Sequence, residues 1–318
     1  MNHGTPLVSV IMPLYNKRPY VRRAIESVRE QTHQRWELIV VDDGSTDGSA
    51  DAVPCDDTRI RLLRQDNKGP GAARNQAFRA STGDLIAFID ADDCYLPCKL
   101  ETEVRSLCAE NTARWMISAF EQDIAGSRLI KRIRDCDGSD IVGEPRVFHD
   151  AFAQLTVAGW HVDGLCLRRQ VFEDVGGFDE TMRCYEITDF AVRCSLSEPR
   201  VLVYPGILYR VIHVPNSAFQ VYAHQREGLR QLGDSIWHLS RTHPEHSATL
   251  AARSRESFYS YAATLILAGH RRQARSFLRH TFPCPRDKRW WTFLAGSLLP
   301  SSVIRLALRR SSGVGAQP

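Results

Sequence analysis

Leu85-Ile86-Ala87-Phe88-Ile89-Asp90-Ala91-Asp92-Asp93 is an unbroken apolar run that ends abruptly in acids. Five apolar residues without polar alternation suit a strand buried on both faces, which points to a parallel sheet covered by helices. The same figure recurs upstream. Val8-Ser9-Val10-Ile11-Met12 stops at Pro13 and is followed by Tyr15-Asn16, and Glu37-Leu38-Ile39-Val40-Val41 runs into Asp42-Asp43-Gly44-Ser45. Between the first two runs, Val21, Ala24, Ile25 and Val28 fall at i, i+3, i+4 and i+7, one face of a helix. Arg59-Ile60-Arg61-Leu62-Leu63 reads as a weaker strand, and Ala72, Ala73, Gln76, Ala77 and Ala80 mark a short helix. These βαβ units predict an α/β sheet, and ligands of such sheets bind beyond the carboxyl ends of the strands. Three polar clusters stand at those ends.

From about Arg114 to Ser217 the strands are shorter, with Gly164–Leu167 and Val201–Tyr204 the clearest, and from about Gln220 the pattern is helical. Composition excludes other classes. The chain has 318 residues, 43% hydrophobic and 25% charged, with 20 Gly and 15 Pro, so it is neither disordered nor collagen-like. Nine cysteines without a CxxC pair argue against a zinc ribbon or disulfide scaffold and for a reducing compartment. The N-terminus reads as lacking a signal peptide, and no apolar stretch reaches the roughly 20 residues of a spanning helix. The expected location is the cytoplasm.

The net charge of +4 conceals an asymmetry. Residues 269–318 carry ten Lys/Arg and one Asp, a charge of +9, so the preceding residues carry −5. Val303, Ile304, Ala307 and Leu308 at amphipathic spacing beside Arg305, Arg309 and Arg310, with Trp290 and Trp291 upstream, suit an interfacial helix on the inner face of an anionic membrane. The alternative is a surface helix packed on the acidic body. No recognised module accompanies the charge, so nucleic acid is not an expected partner.

Three carboxylates in Asp90-Ala91-Asp92-Asp93 repel unless a cation joins them, and hard divalent ions favour oxygen ligands. The plainer reading is a solvated loop capping the next helix. Asp42 to Asp47 reads either as a turn or as a carboxylate placed to accept from a nucleobase N–H. Gly69-Pro70-Gly71-Ala72-Ala73-Arg74 follows the wrong strand for a dinucleotide loop, although its helix N-terminus and Arg74 suit a phosphate.

Together these segments resemble family 2 glycosyltransferases of the GT-A type. The resemblance lies in residues 8–16, Ile25-Glu26-Ser27-Val28 with Gln31-Thr32, Val40 to Asp47, Ala73-Arg74-Asn75, Thr82-Gly83-Asp84 and Phe88 to Asp93, in order and at the usual spacing. It is dense over residues 7–100, weaker to about 217, and slight beyond. It implies a GT-A domain (Rossmann-like, with a mostly parallel sheet flanked by helices) whose nucleotide-sugar half spans 1–110 and whose acceptor half spans 111–219. A helical, basic extension follows over 220–318. It implies that Pro13, Tyr15 and Asp43 hold the nucleotide base, that Arg74 lines the nucleotide site, and that Asp92 binds Mn²⁺ or Mg²⁺ with Asp90 near the metal or ribose.

The implied reaction is a single inverting displacement. A nucleotide sugar, UDP-linked, gives its monosaccharide to a hydroxyl of a lipid-linked or cell-envelope glycan. A carboxylate takes the proton. Here the sequence departs from the family, which shows Glu-Asp-x-Asp after Gly176-Gly177-Phe178-Asp179-Glu180. This chain has Glu186-Ile187-Thr188-Asp189, so Ile187 stands where the basic Asp is expected. Glu186 and Asp189 share a helical face, and 187 points about 100° away from 186. Glu186 is the preferred base and Asp189 the substitute. His213, in Tyr209-Arg210-Val211-Ile212-His213, is a candidate contact to the diphosphate or metal, and Trp160 and His161 are candidates to face the acceptor. Two rival readings stand beside this one: a sugar-nucleotide or glycan-binding module without activity, and a nucleotidyltransferase, whose expected glycine- and lysine-bearing loop is absent near the first strand.

Overall fold

The computed structural model describes residues 4–124, 126–135, 139–157, 161–214, 222–281 and 287–298. The chain divides into two compact units, Met1–Ser217 and Ala218–Pro318.

The first unit is a ten-stranded sheet with helices on both faces. Its elements are β1 (Val8–Leu14), α1 (Arg18–Arg29), β2 (Trp36–Asp42), β3 (Ile60–Arg64), α2 (Pro70–Ala80), β4 (Leu85–Phe88), β5 (Cys94–Tyr95) and α3 (Lys99–Ala109). They continue as β6 (Trp115–Ile124), β7 (Ser127–Lys131), β8 (Arg146–Phe148), α4 (Ala151–Val157), β9 (Cys166–Arg168), α5 (Arg169–Asp174), α6 (Glu186–Ser197) and β10 (Val201–Ile212). The strand order is β3-β2-β1-β4-β9-β6-β10-β5, with β7 on β6 and β8 on β10. The pairs β3/β2, β2/β1 and β1/β4 are parallel, as the apolar runs require. Beyond β4 the expected parallel order gives way to a mixed one. β9 is antiparallel to β4 and β6, and the parallel β6/β10 pair is flanked by antiparallel β5, β7 and β8. The two halves expected on either side of residue 110 therefore share one sheet.

Alternation along β1 builds two cores. Val8, Val10 and Met12 join Val21, Ala24, Ile25 and Val28 of α1 on one face, whereas Ile11 joins Ile39, Val41, Ala73 and Ala77 on the other. Truncating one such fully buried side chain to Ala costs about 2–5 kcal/mol, so these runs fix which face each helix covers. Two glycines record close approaches. A Cβ at Gly83 would lie 2.6 Å from the Ser9 backbone nitrogen, and one at Gly177, where φ is +75°, would lie 2.6 Å from Asn75 Oδ1.

The second unit is helical, as its sequence pattern predicts, with α7 (Tyr222–Thr242), α8 (Ser247–Leu267), α9 (Arg271–Ser276) and α10 (Lys288–Gly296). Phe258, Tyr261, Leu265, Phe277, Leu278, Trp290 and Leu294 form its core. The Trp290 indole donates to Leu278 O (2.9 Å), while Trp291 is exposed. Among the described residues no helix is long and apolar enough to cross a membrane. The amphipathic stretch Val303 to Arg310 lies outside the described residues, as does Trp160.

Candidate active site

The ends of β1, β2 and β4 lie side by side because the three strands pair in parallel. Their trailing loops therefore meet on one rim. After β1, Asn16 takes a left-handed conformation (φ 51°) and links to the loop after β2: its N–H donates to Ser45 Oγ (3.0 Å) and its Oδ1 accepts from Thr46 N (2.8 Å). Tyr15 beside it is 45% exposed, so its ring is open to a ligand.

Asp43 is buried and organises the next loop. Its carboxylate accepts from Gln65 Nε2 (2.7 Å), Lys68 N (2.7 Å) and Gly69 N (2.8 Å). An ionised carboxylate offers about four lone-pair sites, so one remains for a further donor. Gly69 enters α2 at φ +98°, and a Cβ at Gly71 would meet Asp179 O at 3.2 Å and Phe178 Cβ at 3.3 Å. Both glycines of the Gly-Pro-Gly turn thus have local structural reasons to be there.

Arg74 stands one turn into α2, 2% exposed. Its side chain bridges two acids. Nη2 donates to Asp90 Oδ1 (2.8 Å) and Nη1 to Glu186 Oε1 (2.7 Å). One guanidinium thus ties the end of β4 to the first residue of α6. Burial pushes the Asp90 carboxyl up, but Arg74, His161 and Lys17 outweigh it and hold the group below the usual aspartate range.

Asp92 faces Lys17, whose Nζ lies 2.5 Å from Asp92 Oδ2, with both side chains largely shielded. Burial raises the Asp92 carboxyl, Lys17 opposes this, and Asp90 adds to it, for a net upward shift. A cation thus already sits at this carboxylate, and the all-oxygen donors of Asp92 and Asp90 suit Mn²⁺ or Mg²⁺. Behind them lies a second group, in which the sequence reading missed Asp163: Asp90, Asp93, His161 and Asp163 each place a ligand-type atom within 4.8 Å of the others. The available signal was the His-x-Asp spacing of His161 and Asp163.

The α6 residues separate clearly. Glu186 is buried and reaches the rim through Arg74. Ile187 is partly buried and packs against the core face that Ile11, Ala73 and Phe190 share, consistent with its pointing away from 186. Asp189 lies one helical step beyond Glu186 on α6. It is buried in an ion pair with Arg193 (Nη2–Oδ2 2.7 Å), which also donates to Val175 O and Gly177 O, so it anchors the Gly-Gly turn. His213 lies just past β10. Its N–H donates to Asp123 O (3.0 Å) and its ring contacts the Gln122 amide, while burial lowers the nearby His161 imidazole. Pro13 is the penultimate residue of β1, paired in register with Val41.

A mixed sheet that collects strand-end acids, a buried arginine and a helix-borne carboxylate on one rim defines a GT-A fold. It resembles TarS of S. aureus, solved with UDP-GlcNAc, at TM-score 0.62 and 17% identity over 95% of this chain and 92% of that one. It also resembles the mannosyltransferase PcManGT of Pyrobaculum calidifontis, solved with GDP-Man and Mn²⁺, at TM-score 0.57 and 19% identity over 98% and 89%. Residues 9–151 match the family model described as Glycosyl transferase family 2. Over 117 residues it is 40% identical to the E. coli UDP-Glc:alpha-D-GlcNAc-diphosphoundecaprenol beta-1,3-glucosyltransferase WfgD, covering 36% of this chain and 46% of WfgD. The chain spans about half, or less, of the length of the curated relatives it matches.

Proposed function

We propose that this chain is an inverting glycosyltransferase that moves a monosaccharide from a nucleotide sugar, UDP-linked, to a hydroxyl of a lipid-linked or cell-envelope glycan. The observation that carries the reading is the Arg74 bridge, which holds Glu186 within one guanidinium of Asp90. A donor-side acid and a helix-borne carboxylate on one rim is the arrangement a single displacement needs.

In this reading the exposed Tyr15 ring and Pro13 flank the base, and the free acceptor position of Asp43 reads its N–H. Asp92, with Asp90, holds the divalent ion, which when bound neutralises charge on the departing diphosphate. Lys17, whose ammonium pairs with Asp92 here, would be free to pair with a phosphate oxygen were that carboxylate to hold an ion. His213 serves the diphosphate from the end of β10. Glu186 takes the acceptor proton. WfgD, by its name a UDP-glucose enzyme acting on a lipid-diphosphate acceptor, supports the donor and acceptor classes. The basic segment over 269–318 (+9) docks the protein on an anionic membrane surface, where such an acceptor resides.

One observation favours a second reading, a sugar-nucleotide binder without transfer: Ile187 offers no proton acceptor, and Glu186 is already hydrogen-bonded to Arg74. Hydrolysis of a panel of nucleotide sugars, with and without Mn²⁺, separates the two. Transfer requires metal-dependent release of the nucleoside diphosphate from at least one donor. UDP binding with no turnover of any donor would leave the binder.

A further inference from the structure

The acids of the rim do not share cations evenly. Asp90 and Glu186 share Arg74, Asp92 has Lys17, and the fully buried Glu103 has the equally buried Lys99. Asp93 and Asp163 remain. Both are buried, at 2% and 0% exposure, and among the described residues neither has an ion pair with Lys or Arg. Each has one oxygen tied down, Asp93 Oδ1 accepting from Ile212 N (2.8 Å) and Asp163 Oδ1 from Asp90 N (3.0 Å). Asp163 Oδ2 has no hydrogen-bond donor although it is sealed from solvent. Two buried carboxylates side by side cost several kcal/mol unless a proton or a cation joins them.

The surroundings are shaped for a cation. His161 Nδ1 lies 3.7 Å from Asp163 Oδ1 and 4.0 Å from Asp93 Oδ2, so three donors from two segments converge. Its other ring nitrogen, Nε2, faces Asp90 Oδ2 at 3.9 Å, on the side where a carboxylate orients a metal-bound histidine once it closes to hydrogen-bond distance. Metal–ligand distances of about 2.0–2.2 Å put opposed ligands at most about 4.4 Å apart, so a group spanning 4.8 Å needs a contraction of only about half an ångström. The rings of Phe120 and Tyr209 wall the site and lower the local dielectric.

We propose that Asp93, Asp163 and His161, oriented by Asp90, form an inner binding site for one divalent cation that accepts nitrogen as well as oxygen ligands, of the Mn²⁺ or Zn²⁺ type, separate from the outer carboxylate of Asp92. The inner ion clamps the end of β4, the turn at Val162–Gly164 and the end of β10, the segments that carry the rim. It is held without nucleotide, and it does not depend on the transfer reaction.

The test strips the full chain with EDTA, equilibrates it with Mn²⁺ or Zn²⁺ in nucleotide-free buffer, removes free metal by gel filtration and counts ions per chain by elemental analysis. Wild type and Asp92→Ala are expected to retain one ion, and Asp163→Asn to lose it, with affinity down about a hundredfold. His161→Ala, at a partly exposed position, reports the same loss if Asp163→Asn does not fold. Retention of no ion by wild type would overturn the proposal and leave a shared proton between Asp93 and Asp163. Retention unchanged in both inner variants, or abolished by Asp92→Ala, would overturn it equally. UDP titrated into the same samples keeps this outcome distinct from the glycosyltransferase reading: UDP binding by a chain with no inner ion defeats only the inner site.

Discussion

Arg74 holds two carboxylates that would otherwise repel, and its removal acts on both. Arg74→Leu is expected to cost about 3 kcal/mol of unfolding free energy, because breaking a buried pair leaves uncompensated charge. Equilibrium urea unfolding measures it, and a midpoint equal to wild type would mean that the bridge contributes nothing net. Glu186 poses the sharper chemical question. Glu186→Gln keeps the hydrogen-bond acceptor for Arg74 but removes the proton acceptor. Transfer should fall by about 10²–10⁴-fold while UDP affinity stays near wild type. Undiminished turnover would place the base on another residue. At this scale the sequence was partly readable. Asp90, Asp92 and Asp43 stand at strand ends, where position alone marks them. That Arg74 bridges two acids was not legible, because its partners come from segments 16 and 112 residues away. Asp163, as a partner for Asp93, escaped for the same reason, since only the folded sheet brings the β4 end beside the Val162–Gly164 turn.

Among the elements, the parallel run β3-β2-β1-β4 is stitched across its amino-terminal edge by Glu37. Burial pushes the Glu37 carboxyl up, but hydrogen bonds from Ser9 Oγ and from the Thr82 N–H and hydroxyl, with the Arg61 charge, bring it below the usual glutamate range. A carboxylate whose folded-state pKa is depressed stabilises the fold above its unfolded pKa, and that contribution fades as pH falls through the folded value. Glu37→Gln should therefore lower stability by about 1–2 kcal/mol at pH 7, with a gap from wild type that closes on acidification below about pH 4. Thermal melts across that range check it, and a gap independent of pH would contradict it. The Gly-Gly turn before α6 gives a second expectation. Gly177→Ala combines a positive φ with a 2.6 Å encounter with Asn75 Oδ1, so it should destabilise by about 2 kcal/mol, read in the same melts. No change in midpoint would show that the turn relaxes freely.

These elements also show what patterning conveys. Val8–Met12, Glu37–Val41 and Leu85–Ile89 were legible because strands buried on both faces are apolar without interruption. Cys94–Tyr95 was not, because a two-residue strand has no period and exists only through its pairing with β10. The antiparallel turn of the sheet after β4 was likewise hidden, since the direction of β9 depends on a long connection rather than on its own residues.

At the scale of the whole molecule, an acidic sheet domain precedes a strongly basic segment. If that segment docks on lipid, truncation after Pro300 should release the protein from vesicles containing anionic phospholipid, and raised salt should do the same to the full chain, because several basic residues at about 1 kcal/mol each carry the attraction. Flotation measures both, and unchanged co-flotation of the truncated chain would place the contact elsewhere. The helical character of α7 to α10 was readable from periodicity, whereas their mutual packing was not. The close crossing of α7 and α8 turns on Gly233, where a Cβ would lie 2.5 Å from the Phe258 ring.

The most direct measurement is a crystal of the full chain grown with Mn²⁺ and UDP, with anomalous diffraction recorded at the manganese edge. The expected map shows an ion against Asp92 joined to the diphosphate, Lys17 withdrawn from that carboxylate, and uracil between Tyr15 and Asp43. A rim with the Lys17–Asp92 pair intact and no nucleotide, under saturating ligand, would contradict a metal-dependent nucleotide-sugar site.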